Sequence, residues 1–95
     1  MIEILVPGAL RGEVDGASRL TVDGESGAQR TLGAVLDEIG ERWPRLARRI
    51  RDEQGDLRRY VNVYIDGEDC RRLAGLATVV PDSAEIQVLP SVAGG

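Results

Sequence analysis

Histidine and lysine are missing from this chain, and cysteine occurs once, as Cys70. Without histidine no Ser-His or Cys-His pair can form, and one thiol cannot assemble a zinc, haem or iron–sulfur site. A lone cysteine has no intrachain disulfide partner, which agrees with a reducing compartment. All 12 basic residues are therefore arginine. The side chains offer no amine for a Schiff base and none for isopeptide-linked chains of the protein itself, although codon bias in a GC-rich genome produces the same pattern. No Walker loop and no G-x-G-x-x-G fingerprint occurs. No apolar run approaches the ~18 residues of a membrane span, and no charged-then-apolar leader opens the chain. The expectation is a cytoplasmic protein with neither membrane anchor nor signal peptide. A net charge of −4 argues against nucleic acid as the main partner, because such domains are usually basic.

What is present suits one domain with a single core: 95 residues, 42% of them apolar. Alternation predicts a strand over MIEILV (1–6), ended by Pro7-Gly8, with Ile2, Ile4 and Val6 on one face and Glu3 and Leu5 on the other. Residues 8–16 hold few strand formers and are expected as a loose connection. SRLTV (18–22) alternates with Leu20 and Val22 inward, and Asp23-Gly24 closes it, which suggests an antiparallel hairpin. Leu32, Val35, Leu36 and Ile39 recur at i, i+3, i+4 and i+7, predicting a helix over 32–42 with Thr31 as its N-cap. Pro44 opens a second short helix through Leu46, Ala47 and Ile50. On its outer side Arg45, Arg48, Arg49 and Arg51 form either a basic docking surface or a solvated face relieved by Asp52 and Glu53.

YVNVYI (60–65) is the strongest strand signal, with Val61, Val63 and Ile65 toward the helix and Asn62 and Tyr64 opposite. Residues 66–69 make a turn whose acids lack the spacing of a twelve-residue calcium loop. A short edge strand is expected over 69–72, and 73–80 reads as a crossing segment or single helical turn. Cys70 has no lysine or histidine to lower its pKa and is expected as a small buried residue. EIQVL (85–89) forms the final strand, with Ile86 and Val88 inward and Glu85, Gln87 and Leu89 outward.

Residues 1–89 are thus read as one domain and 90–95 as a flexible tail, Pro90-Ser91-Val92-Ala93-Gly94-Gly95. Six extended residues reach at most about 20 Å, enough to carry the carboxylate of Gly95 into a partner's pocket. Gly94 and Gly95, lacking Cβ, can lie flat in a channel too narrow for side chains. A carboxylate delivered there can be coordinated, or activated by attacking the α-phosphate of ATP to give an acyl adenylate.

The element order β-β-α-β-β, its last strand running into a diglycine, is similar to the β-grasp fold of ubiquitin and of the sulfur carriers of the MoaD/ThiS family. Tyr60-Val61-Asn62-Val63-Tyr64-Ile65, Asp66 to Asp69, Gly75-Leu76-Ala77-Thr78 and Leu89 to Gly95 resemble the CysO-type members, which serve cysteine biosynthesis. Thr31-Leu32-Gly33-Ala34-Val35 fits the same family, while the first thirty residues match only in pattern. The resemblance implies an α+β, ubiquitin-like β-grasp domain: a mixed four- to five-stranded sheet with one main helix packed on one face. It implies a carrier and co-substrate rather than an enzyme, with no catalytic residue and no cofactor or metal of its own. Gly95 would be adenylated by a MoeB/MoeZ-like adenylyltransferase using ATP, then converted to a thiocarboxylate. The sulfur acceptor would be a CysM-like cysteine synthase that uses pyridoxal phosphate, and a metalloprotease would release the cysteine.

Leu5, Tyr64 and Leu89 are the apolar residues that alternation assigns to the sheet's outer face, and they form the expected partner-binding patch, with Arg71 and Arg72 beside it. Scattered surface apolar residues are the ordinary alternative. Within the same family the alternatives are a molybdopterin synthase small subunit and a ubiquitin-like protein modifier. Outside it stands a plain interaction module whose diglycine has no role.

Overall fold

The computed structural model describes residues 1–23 and 30–90. β1 (Ile2–Leu5) and β2 (Arg19–Val22) form the expected antiparallel hairpin, Ile2 opposite Val22 and Ile4 opposite Leu20. β3 (Arg30–Thr31) leads into α1 (Leu32–Arg42), and α2 (Pro44–Ile50) follows at once. Then come β4 (Val61–Ile65), β5 (Glu68–Asp69), β6 (Val79–Val80) and β7 (Glu85–Pro90). Five strands make one mixed sheet in the order β2-β1-β7-β4-β5, with β1 parallel and β4 antiparallel to the central β7. α1 shares its apolar stripe with the core of that sheet. This is the expected β-grasp arrangement, with five strands.

Period decides the faces. Ile2 and Ile4 of β1, Val61, Val63 and Ile65 of β4, and Ile86 and Val88 of β7 are buried, and all join one cluster with Leu32, Val35, Leu36 and Ile39 of α1. Each such side chain contributes about 1.5–3 kcal/mol through removal of apolar surface from water. α1 starts where Thr31 Oγ1 accepts the Ala34 N–H at 3.1 Å, the expected cap. It stops at Trp43 because Pro44, at the first position of α2, disfavours helical backbone before it. A Cβ on Gly40 would lie 3.2 Å from Ala47 Cβ, so the missing side chain sets how closely the two helices approach.

Four expectations need correction. Residues 8–16 are not a loose connection: Gly8–Val14 winds into a 3-10 helix that buries Leu10 and Val14. The edge strand over 69–72 is confined to Glu68–Asp69, after which Cys70–Arg72 is a 3-10 turn capped by Asp69. In the stretch 73–80 the expected single helical turn is there, as the 3-10 turn Gly75–Ala77, but Val79–Val80 is an unexpected strand, β6, which pairs with β3 in a second small sheet. Arg51 does not join a solvated arginine face; its Nη1 meets Asp37 Oδ1 at 2.7 Å and its Nε donates to Gly55 O at 2.7 Å. The turn at Gly24, the stretch 26–29 and residues 91–95 lie outside the described residues. Among the described residues no helix is long and apolar enough to cross a membrane.

Candidate functional site

The face of the sheet turned away from α1 is built from the alternate residues of β1, β4 and β7. Leu5 is in register with Gln87 on one side of the central strand, and Tyr64 with Gln87 on the other. Arg19 stands opposite Leu5 and Asp69 opposite Tyr64, so a single row, Arg19-Leu5-Gln87-Tyr64-Asp69, crosses all five strands. One step toward the end of β7, Leu89 stands opposite Asn62. Leu5 and Tyr64 are half-buried and Leu89 is 37% exposed, so the three apolar residues surround a polar centre at Gln87.

Both arginines expected beside the patch border it, at different places. Arg71 Nη1 donates to Asn62 Oδ1 at 3.1 Å and Nη2 to Arg58 O at 2.8 Å, which fixes its guanidinium along the Leu89 row. Arg72 lines a shallow depression with Tyr64, Glu68 and Asp69. The 3-10 turn Cys70–Arg72 holds the pair there, anchored by the Arg71 N–H bond to Asp69 Oδ1 at 2.9 Å. Leu5 and Leu89 share a second depression with Pro7, Arg11, Arg19 and Gln87. Arg11 and Gln87 were not singled out from the sequence. Gln87 is polar, so a search for apolar outward residues passes over it. Arg11 is placed by the 3-10 helix, its Nε donating to Val6 O at 3.0 Å.

Other chemistry is sparse. Burial pushes the Cys70 thiol up from its ordinary pKa, and the neighbouring Asp69 carboxylate adds to the rise. The thiol is thereby kept neutral and fully enclosed, which suits the expected packing role. Among the described residues no group of three or more acidic or cysteine side chains is placed to hold a metal ion. Val92, Ala93, Gly94 and Gly95, the tail expected to enter a partner's channel, lie outside the described residues. The strand that leads to them is described: β7 ends at Pro90, opposite Val61.

Residues 4–95 match the ThiS family. The chain belongs to it. Among ThiS-family relatives, the sulfur carrier protein CysO of Mycobacterium tuberculosis is 33% identical over 96 aligned positions, which cover 99% of this chain and 98% of that protein. Its crystal structure superposes with a TM-score of 0.84, covering 97% of this chain and 100% of the other. The CysO/BexX complex of Amycolatopsis orientalis contains a chain superposing at a TM-score of 0.86, with 29% identity and 100% coverage of both chains. The molybdopterin synthase sulfur carrier subunit of M. tuberculosis is 31% identical over 94 aligned positions, covering 99% of this chain and 96% of the relative.

Proposed function

We propose that this ThiS-family chain is a sulfur carrier of the CysO type, serving cysteine biosynthesis. The observation that carries the reading is the full-length likeness to CysO proteins in sequence and in fold, within a family match that runs through Gly95. The tail beyond β7, Val92 to Gly95, enters the ATP site of a MoeB/MoeZ-like adenylyltransferase. There a carboxylate oxygen of Gly95 attacks the α-phosphate of ATP, pyrophosphate leaves, and an acyl adenylate forms. Sulfide then adds to the carbonyl, gives up its proton, and AMP departs, leaving a thiocarboxylate. Sulfur tethered in this form is nucleophilic and does not diffuse away. The acceptor is a pyridoxal-phosphate cysteine synthase, and a metalloprotease releases the product. This chain supplies the acyl group and the surface that partners grip: Leu5, Tyr64 and Leu89, with Arg71 and Arg72 at the border. Its partners supply the catalysis.

Intact-mass measurement tests this directly. With ATP, sulfide and the adenylyltransferase present, the chain gains one sulfur-for-oxygen exchange located at Gly95. No change, or the same change after deletion of Gly95, overturns the reading. A second reading, the small subunit of molybdopterin synthase, is favoured by the likeness to that subunit in M. tuberculosis. Stable association with a molybdopterin synthase large subunit instead of a cysteine synthase decides for it.

A further inference from the structure

We infer that the arginines around the root of the tail form a second docking surface, which takes an acidic segment of the enzyme that receives the tail. Arg48 and Arg49 of α2 and Arg58, just before β4, line one depression together with Tyr60 and Pro90. Arg58 is held in place: its Nε donates to Arg48 O at 2.7 Å, and its own carbonyl accepts from Arg71 Nη2 at 2.8 Å. Arg48 and Arg49 are exposed. Among the described residues the ion pairs are Arg19–Glu3, Arg30–Glu38 and Arg51–Asp37, and none of them neutralises this cluster.

Three arginines lining one depression give it a local positive field in a chain of net charge −4. Asp37, Asp52 and Glu53 border a different depression, which Arg48 also reaches, and none of these acids lines this one. β7 begins where Glu85 is in register with Glu3 and takes the Asp66 carboxylate on its N–H at 2.9 Å. It ends at Pro90, on the edge of the arginine cluster. Charge thus differs along the central strand, with Glu85 and Asp66 where it starts and arginines around Pro90 where it ends. An enzyme that takes up the chain just after Pro90 meets this depression at the last described residue of β7. Carboxylates there accept bidentate hydrogen bonds from the guanidinium forks, and Tyr60, 50% exposed, offers an apolar floor. Such a field acts before contact: it orients the approach so that the tail leads, raising the rate of productive encounter.

This surface rests on the carrier reading, and one experiment separates the two. The full-length chain and an Arg48→Glu/Arg49→Glu/Arg58→Glu variant are compared as substrates of the adenylyltransferase by ATP–pyrophosphate exchange over a salt series, after thermal melting has shown both to be folded. The variant's KM rises about tenfold or more, kcat at saturating carrier changes little, and the salt dependence of the wild-type KM is flattened. If the triple variant does not fold, Arg48→Glu and Arg49→Glu, whose side chains are exposed, are read singly in the same way. Exchange with the wild type but an unchanged KM and salt slope in the folded variants overturns this surface alone. No exchange with the wild type overturns the carrier reading and this surface with it. Binding of a labelled oligonucleotide that the variants lose, without a change in KM, assigns the cluster to nucleic acid and likewise overturns the inference.

Discussion

Leu5 and Tyr64 flank Gln87 from opposite sides, one through a parallel pair and the other through an antiparallel pair. Two residues about 60 positions apart in the chain thereby stand two strand spacings apart, roughly 10 Å, on one face of the sheet. The central strand that joins them also carries Leu89 and ends at Pro90, where the tail begins. In the proposed carrier function, a partner gripping this face lies beside the strand that leads into residues 91–95.

Replacing Tyr64 by Ala together with Leu89 by Asp is expected to weaken binding to the adenylyltransferase by about ten- to a hundredfold, because both act at an interface of central apolar anchors. Leu89 is 37% exposed and Tyr64 half-buried, so the folded state loses less than it would at a core position. Calorimetric titration alongside thermal melting checks both halves; equal affinity for the double variant defeats the assignment of this face.

Ile86 is fully buried on the central strand and paired on both sides. Ile86→Ala is expected to cost about 2–5 kcal/mol, the lost transfer energy plus the cavity left behind. Urea unfolding measures it, and a loss below about 1 kcal/mol shows that the site collapses around the smaller side chain.

Thr31 Oγ1 satisfies one of the N–H groups that the first turn of α1 leaves without a partner. Thr31→Ala is expected to cost about 1 kcal/mol, lowering the melting temperature by roughly 4–8 °C in a domain of this size, while Thr31→Ser retains most of the stability. Equal melting temperatures for the Ala and Ser variants rule out a capping role.

Cys70 holds its proton to higher pH in the folded chain than in the unfolded one, first because it is buried and then because Asp69 is near. Its contribution is therefore complete below the ordinary thiol pKa of about 8.5 and is lost as pH climbs through the raised value. Stability is expected to fall with rising pH above that point, and the fall should be shallower in Cys70→Ala. Urea midpoints over this range measure the two slopes, and parallel slopes contradict the expectation. A thiol reagent should label the native chain slowly and the urea-unfolded chain at once.

Period and punctuation made much of this architecture legible in advance. The alternation in 1–6, 18–22, 60–65 and 85–89, and the 3.6-residue recurrence of Leu32, Val35, Leu36 and Ile39, are local consequences of where a pleated or helical backbone points its side chains. They sufficed for the faces, for the bounds of α1 and for the outward position of Leu5, Tyr64 and Leu89. The resemblance carried by residues 60–78 and 89–95 pointed to the family. Other features depend on partners distant in the chain. Leu10 and Val14 sit in a glycine-punctuated stretch whose 3-10 winding is worthwhile only against α2 and the core. β3 and β6 are two residues each, too short to show a period, and exist because Arg30 meets Val80 and Thr31 meets Val79. Arg51 is drawn to Asp37 on the preceding helix, while Arg48, Arg49 and Arg58 meet at the end of β7. No window of sequence contains those meetings, because each is created when α2 and the strand pair β4·β7 take their places around one core.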